Sequence, residues 1–146
     1  MDQIQTKSIV KLKTERIIGQ ISGEETGPTL VLFGGIHGNE PSGVEALEQV
    51  FRQLKVSELQ IKGSIFGIKG NLPALLEKKR FLEHDLNRIW THSRIDDIKR
   101  RSESERSVEE NELSEIYQLI SDIFETQSPI TIKLLLLVDK RKIINT

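Results

Sequence analysis

Apolar residues in this chain form short continuous runs, and stretches with helical spacing lie between the runs. The run at residues 29–33 (TLVLF) is typical of a strand that is buried on both faces. Residues 63–69 (GSIFGIK) and 130–138 predict a second and a third strand. Because a helical pattern lies between the first two strands, we expect them to be parallel and joined by a right-handed crossover. The apolar positions of that helix, which begins near Pro41, are Val44, Leu47, Val50, Phe51 and Leu54.

The remaining segments give weaker patterns. Residues 8–22 predict an opening two-stranded hairpin, and residues 23–28 a turn-rich break. A short helix is expected at 72–79, and RFLEHDLNRIW at 80–90 is interpreted as a loop. The sequence therefore predicts an α/β protein with a mixed, largely parallel sheet and helices packed on it.

A long helix is expected after the intensely charged residues 93–112. Ser107 followed by Glu110 predicts a capping box at its start. We interpret the charged run as its solvated face. Its apolar stripe is predicted to contain Leu113, Ile116, Tyr117, Ile120 and Phe124.

Composition narrows the possible functions. The chain has 146 residues, enough for one domain, and its net charge of −1 gives no field that would attract nucleic acid or an anionic membrane. A single Trp and a single Tyr do not provide the stacking platforms of single-strand binders. The apolar run 130–138 is too short to span a bilayer, and residues 1–13 lack the apolar core of a secretion signal. We therefore expect a cytoplasmic protein without nucleic-acid or membrane partners.

The absence of cysteine restricts the available chemistry. It excludes disulfides, a thiolate nucleophile and a Cys-type zinc site. A metal ion would have to be held by carboxylates and by the three histidines.

The segment GGIHGNE at 34–40 is the first candidate site. His37 and Glu40 follow a buried strand, at the edge where open α/β sheets place their ligands. An imidazole and a carboxylate suit Zn²⁺, and the flanking glycines allow backbone to approach a metal or substrate closely. The alternative is a loop histidine with Glu40 acting only as a first-turn carboxylate of the helix.

The segment RFLEHDLNR at 80–88 is the second candidate. Arg80 and Arg88 offer planar forks for carboxylates, and Asn87 can both donate and accept hydrogen bonds. Such a group fits an anionic substrate. The alternative is a surface loop whose arginines pair with Glu83 and Asp85, which would contribute little.

Together these two motifs resemble those of the succinylglutamate desuccinylase/aspartoacylase family, a branch of the zinc carboxypeptidase-like hydrolases. The first is Gly-Gly-x-His-Gly-Asn-Glu, and the second follows a Gly-Asn turn as Arg-aromatic-x-acid-x-Asp-Leu-Asn-Arg. The resemblance covers residues 8–126, with an atypical tail at 132–146. It implies that residues 1–146 are the N-terminal part of one zinc-hydrolase catalytic domain.

The resemblance also implies roles for individual residues. His37 and Glu40 would bind one Zn²⁺, and Arg80 would polarise the scissile carbonyl and stabilise the oxyanion. Asn87 and Arg88 would hold a carboxylate of an N-acyl amino acid, the small-molecule substrate whose amide bond is hydrolysed. Leu86 and Asp85 match the motif too, and we assign them to shaping the loop.

The match fails at the third metal ligand, which the family takes from an Asp-x-His motif on a later strand. Here Asp139 matches that Asp, but Arg141 stands in place of the His, and His84 and His92 are interpreted as exposed loop residues. No general-base glutamate follows. We therefore expect a truncated domain that is inactive alone.

The alternative is a degenerate binding module or inert fragment. A sheet cut at this point also predicts self-association.

Overall fold

A computed structural model describes residues 15–126 and, for the backbone only, 133–136. Its four-stranded sheet consists of β1 (Ile17–Ser22), β2 (Glu25–Gly34), β3 (Lys62–Lys69) and β4 (Lys133–Leu136) in the order β1-β3-β2-β4. β2 pairs in parallel with both β3 and β4, whereas β1 pairs antiparallel with β3. The mixed, largely parallel sheet is therefore confirmed.

Besides the helical residues Glu15 and Arg16, five complete α-helices and one short 3₁₀ helix connect or flank these strands within the described residues. The helices are α1 (Ser42–Val56), α2 (Leu72–Glu77), α3 (Leu86–Ile89), α4 (His92–Arg100) and α5 (Val108–Thr126), with the 3₁₀ helix at Glu103–Glu105. In this described part, none of the helices is long and apolar enough to cross a membrane.

The alternation of side chains along β2 builds a core on each face of the sheet. Leu32 points to the side covered by α1, where it packs with Leu47 and Phe51. Val31 and Phe33 point to the opposite side, which α3, α4 and α5 cover. Because apolar positions on both faces are buried, β2 reads as a continuous apolar run, as predicted for residues 29–33.

Several predictions about the elements were wrong in detail. Of the hairpin predicted for 8–22, residues 8–14 lie outside the described part; Glu15 and Arg16 are helical where a strand was expected, and β1 pairs with β3. β2 begins at Glu25, which shortens the predicted break to two residues. The segment 80–90 contains the one-turn helix α3, because Asp85 caps its first turn.

The predicted apolar stripes of α1 and α5 agree only partly with the residues that are buried. In α1, Val44, Leu47 and Phe51 are buried, but Val50 is 40% exposed. In α5, the buried apolar residues are Leu113, Ile116, Leu119 and Ile123, whereas Phe124 is exposed.

The start of α5 shows one confirmation and one correction. The capping box is confirmed, since the Glu110 amide donates to Ser107 Oγ and the Ser107 amide donates to Glu110 Oε2. The interpretation of residues 93–112 as a solvated face was wrong. Most of this segment forms α4 and the 3₁₀ helix, and Glu109, Glu110 and Glu112 are buried.

Candidate metal and substrate site

The turn after β2 carries the first motif. Gly35 has φ of +72°, a left-handed conformation in which any side chain would be strained. The Glu40 amide donates to the His37 carbonyl at 3.2 Å and closes the turn, and α1 begins at Ser42. His37 and Glu40 therefore lie beyond the C-terminal end of β2, where the sequence predicted them.

The segment after β3 runs beside this turn because β2 and β3 are parallel and end at the same edge. The amides of Gly70 and Asn71 donate to the carbonyls of Gly34 and Gly35 at 2.8 and 2.9 Å. The Asn71 side chain then accepts from the Ala74 amide and caps α2. These contacts turn the chain so that the second motif returns to the first.

Gly38 joins the two motifs directly. Its amide donates to the Arg80 carbonyl at 3.2 Å. A Cβ at this position would lie 1.9 Å from the carbonyl carbon and oxygen of Ala74, so only glycine fits between α2 and the turn. The spacing of glycines in GGIHGNE thus reflects backbone contact between the two loops.

His37 lies between two carboxylates. Its Nδ1 is 3.5 Å from Glu40 Oε2, and its Nε2 is 3.1 Å from Asp85 Oδ1. All three side chains are largely buried, with exposures of 12%, 19% and 11%. With the proton on Nε2, His37 donates to Asp85 and keeps the Nδ1 lone pair beside Glu40.

This arrangement fits two ligands of a zinc ion. Zinc bonds of about 2.0–2.1 Å at a tetrahedral angle place neighbouring ligand atoms ~3.3 Å apart, close to the Nδ1–Oε2 distance. A carboxylate on the other ring nitrogen is the usual support of a metal-binding histidine. Among residues 15–126, no cluster of three or more His, Cys, Asp or Glu side chains is arranged to hold a metal.

Three basic or polar side chains of the second motif lie around Asp85. Arg80 Nη2 is 3.3 Å from Asp85 Oδ2, and its Nη1 is 3.8 Å from Glu40 Oε1. Arg88 Nε lies 3.9 Å from Asp85 Oδ2 with most of its side chain exposed. Asn87 is exposed and its backbone amide donates to Asp85 Oδ1. The structure therefore brings Arg80 and Arg88 to the same carboxylate that contacts His37.

Asp85 is the residue at the centre of this cluster. Burial would raise the pKa of its carboxyl, but the hydrogen bond and charge interaction with His37 oppose this, together with the Asn87 amide and Arg80. The net result is a pKa below the ordinary value, so Asp85 is a carboxylate at neutral pH. Sequence reasoning gave this residue a role in shaping the loop or, as the alternative, in pairing with the arginines, and the pairing with Arg80 and Arg88 is observed.

Glu109 on α5 is a second residue that sequence reasoning missed. Its fully buried carboxylate accepts hydrogen bonds from the backbone amides of Leu82, Glu83 and His84, in the middle of the second motif. Its position in the first turn of a helix was a visible signal, but nothing in the sequence indicated partners 25–27 residues away.

The other candidate ligands do not join the cluster. His84 and His92 are exposed, as expected, but only His84 lies in a loop, because His92 is the first residue of α4. Asp139 and Arg141, which occupy the expected Asp-x-His positions, lie outside the described residues.

Comparison with protein families places this site in a wider group. Residues 26–134 match the model of the succinylglutamate desuccinylase/aspartoacylase catalytic domain. The chain is 41% identical over 76 residues to a succinylglutamate desuccinylase of Photorhabdus laumondii, covering 52% of this chain and 23% of that protein. It is 36% identical over 87 residues to the enzyme of the same name from Yersinia enterocolitica, covering 56% and 26% of the two chains.

Solved structures show the same fold. The succinylglutamate desuccinylase of Chromobacterium violaceum superposes with a TM-score of 0.59 and 20% identity, covering 80% of this chain and 34% of that one. The corresponding protein of Vibrio parahaemolyticus gives a TM-score of 0.54 at 21% identity, covering 75% and 34%. The chain thus spans about a quarter to a third of the length of these relatives.

Proposed function

The chain belongs to the succinylglutamate desuccinylase/aspartoacylase catalytic-domain family, and from that premise we propose that it carries part of a zinc-dependent amide hydrolase site. The substrate class is an N-acyl amino acid, with N-succinylglutamate suggested by the names of the relatives. One observation carries the proposal. His37, Glu40, Arg80 and Asp85, drawn from two distant motifs, form one connected cluster at the end of the sheet.

His37 and Glu40 would hold the metal. Zinc in this position would supply Lewis-acid activation of the amide carbonyl and of water. Asp85 would accept a hydrogen bond from the Nε2–H group of His37. This bond would fix the orientation of the ring and leave Nδ1 as the ligand atom. The two ligands face one another across 3.5 Å, and Asp85 contributes negative charge that favours a cation nearby.

Arg80 would polarise the scissile carbonyl. Its guanidinium carries five N–H donors, and its ion pairs with Asp85 and Glu40 are long at 3.3 and 3.8 Å. The side chain is 39% exposed, so donors remain accessible to a bound substrate. A cationic donor aimed at the developing oxyanion stabilises the transition state by ~3 kcal/mol in comparable sites.

Arg88 and Asn87 would bind a carboxylate of the substrate. Both side chains are exposed at the start of α3. Arg88 lies beside the carboxylate of Asp85, which also contacts Arg80. A guanidinium can grip a carboxylate through two parallel hydrogen bonds. On this proposal, α3 would recognise the anion and Arg80, which precedes it, would activate the carbonyl.

A second candidate function is a binding module without turnover. It is favoured by the lack of a third metal-binding side chain among residues 15–126, since a catalytic zinc normally has three protein ligands. This module would bind the acyl amino acid through Arg88 and Asn87 but would not hydrolyse it.

One titration tests the substrate-binding residues that both candidates share, and tests whether this chain alone has activity. Nuclear magnetic resonance would follow the chain with N-succinyl-L-glutamate and Zn²⁺, and succinate release would be measured in the same samples. We expect N-succinyl-L-glutamate to change the chemical shifts of residues 80–88. Arg88→Ala should lower the affinity for this ligand about tenfold or more, and this chain should release no succinate. Arg100→Ala, which removes an exposed arginine at the end of α4, is the matched control. An affinity that Arg88→Ala leaves unchanged would overturn the role of Arg88 in substrate binding. Succinate release would show that the chain completes its own site.

A further inference from the structure

The carboxylate of Glu109 connects α5 to the middle of the second motif. Oε1 accepts from the Leu82 amide at 2.7 Å, and Oε2 accepts from the amides of Glu83 and His84 at 3.0 Å each. Three consecutive backbone donors on one carboxylate form an anion-binding nest, here occupied by a side chain of the same protein.

A fourth bond fixes the carboxylate from the other side. Asn71 Nδ2 donates to Glu109 Oε1 at 3.0 Å, while Asn71 Oδ1 caps α2. Asn71 and Glu109 are both fully buried. Glu109 therefore has four hydrogen-bond donors, which is about the number that an ionised carboxylate can accept.

The charge of Glu109 is maintained by these contacts. Burial would raise the pKa of the carboxyl, but the amides of Leu82, His84 and Glu83 and the Asn71 side chain outweigh it and lower the pKa. This buried carboxylate is thus compensated at neutral pH by three backbone amides and the amide group of Asn71, and none of these four hydrogen-bond partners is a cation.

The held segment lies between the residues that form the site. Arg80 precedes residues 82–84 and is fixed at its carbonyl by Gly38, and Asp85 follows them directly. Asp85 is bonded directly to His84, so its backbone position follows that of residues 82–84, and its carboxylate caps α3. The distances from Asp85 to His37 and Arg80 depend on where residues 82–84 are held.

We propose that Glu109 is a positioning residue that sets the Asp85–His37 and Asp85–Arg80 contacts by holding residues 82–84. This inference rests on the proposed function for its significance, because it assigns Glu109 to the site that the two motifs form. Glu109 does not contact His37, Arg80 or Asp85 in the described contacts of its carboxylate and acts only through the backbone of the loop.

The test uses Glu109→Gln, which keeps the shape of the side chain but replaces one acceptor oxygen with a donor. Hydrogen exchange of the Leu82, Glu83 and His84 amides should accelerate about tenfold or more, as expected for loss of charge-assisted bonds. Long-range ¹H–¹⁵N spectra should show a proton on His37 Nε2 in the parent chain, whether or not Nδ1 is also protonated. In Glu109→Gln the Nε2–H signal should shift or weaken, because Asp85 is no longer held beside the ring.

Glu112→Gln is the matched control. Glu112 is also buried on α5, but its carboxylate accepts from Arg16 and from the Leu72 amide, not from residues 82–84. Glu112→Gln should destabilise the chain without changing the His37 Nε2–H signal or selectively accelerating exchange of the three amides. An unchanged His37 spectrum in Glu109→Gln, or the same change in Glu112→Gln, would show that Glu109 has only a general structural role.

A second variant covers the case in which Glu109→Gln does not fold. Asn71→Ser keeps a good cap for α2 and removes only the donor that orients Glu109. It should accelerate exchange of the same three amides by a smaller factor, and absence of any effect there would overturn the inference. Neither measurement requires zinc or substrate. Failure of zinc or ligand binding would therefore overturn the proposed function and leave the role of Glu109 intact.

Discussion

Nε2 of His37 lies 3.1 Å from Oδ1 of Asp85, although the two residues are 48 positions apart in the chain. The contact orders the ring and leaves Nδ1 facing Glu40 at 3.5 Å. It is one of the contacts that link the two sequence motifs, and it makes Asp85 the residue on which the orientation of His37 depends.

We predict that Asp85→Asn weakens zinc binding by the chain about 10–100-fold, the usual effect of removing a carboxylate that supports a metal-binding histidine. Zn²⁺ competition against a chromophoric chelator measures the change. Asp96→Asn, which neutralises an exposed carboxylate on α4, is the control and should leave the affinity unchanged. Equal affinities of Asp85→Asn and the parent chain would show that Asp85 does not support the metal-binding ring.

Zinc binding by the parent chain should itself be weak, because two protein ligands leave most of the coordination sphere to water. Calorimetric titration should give a shallow isotherm that disappears in His37→Ala. His84→Ala removes an exposed histidine and should have no effect. A tight, stoichiometric site that is lost in His84→Ala would mean that His84 moves to become the third ligand.

Stability should decrease at acidic pH through Glu110. Hydrogen bonds from Arg101 lower the pKa of this carboxyl from 4.5 to about 2, burial opposes the shift, and the Ser107 amide adds to it. Because the folded-state pKa is below the unfolded one, the stabilisation is present above pH 4.5 and is lost as pH falls toward 2. At ~1.4 kcal/mol per pKa unit, the loss is roughly 3 kcal/mol at most.

Urea denaturation at a series of pH values measures this loss. Glu110→Gln should be less stable at pH 7 and show a flatter profile between pH 5 and pH 2. Glu45→Gln, an exposed carboxylate on α1, should follow the parent profile. If Glu110→Gln keeps the parent's full acid sensitivity, other carboxylates are responsible.

Gly38→Ala should separate the two loops. The added methyl group would overlap the Ala74 carbonyl at 1.9 Å, so backbone must move and the Gly38–Arg80 hydrogen bond is strained. We expect a loss of roughly 1–3 kcal/mol in the free energy of unfolding. Asn39→Ala changes an exposed neighbour in the same turn and should stay within ~0.5 kcal/mol of the parent. Equal stability of the two variants would contradict the close approach.

Self-association is predicted from the sheet. In the described part of the chain, β4 pairs with β2 on one side only, and an open strand edge invites pairing with a second copy. Phe124 adds an exposed aromatic side chain on α5. Light scattering over a concentration series should show a rising average mass. Phe124→Ser should leave the rise intact if the edge is responsible, and a constant monomer mass in the parent would contradict the prediction.

The sequence determined the local features of the site. A continuous apolar run predicted β2, the glycines of GGIHGNE indicated a close approach of backbone at its end, and helical spacing predicted α1. The capping box of Ser107 and Glu110 was also readable, because its partners are three residues apart. These features depend on interactions between residues that are close in the chain. A periodic or short-range sequence pattern can therefore predict them.

Only the tertiary structure decided the roles of Asp85 and Glu109. A charged segment predicts solvent exposure because isolated carboxylates are costly to bury, and this rule failed for Glu109. Its burial is compensated by backbone amides of Leu82, Glu83 and His84, which only the folding of α5 against the loop brings within 3.0 Å. Every residue except proline has the same backbone N–H donor, so the sequence does not show which donors will bind Glu109. Their partners are therefore set by packing, and the placement of Asp85 beside His37 follows from that packing.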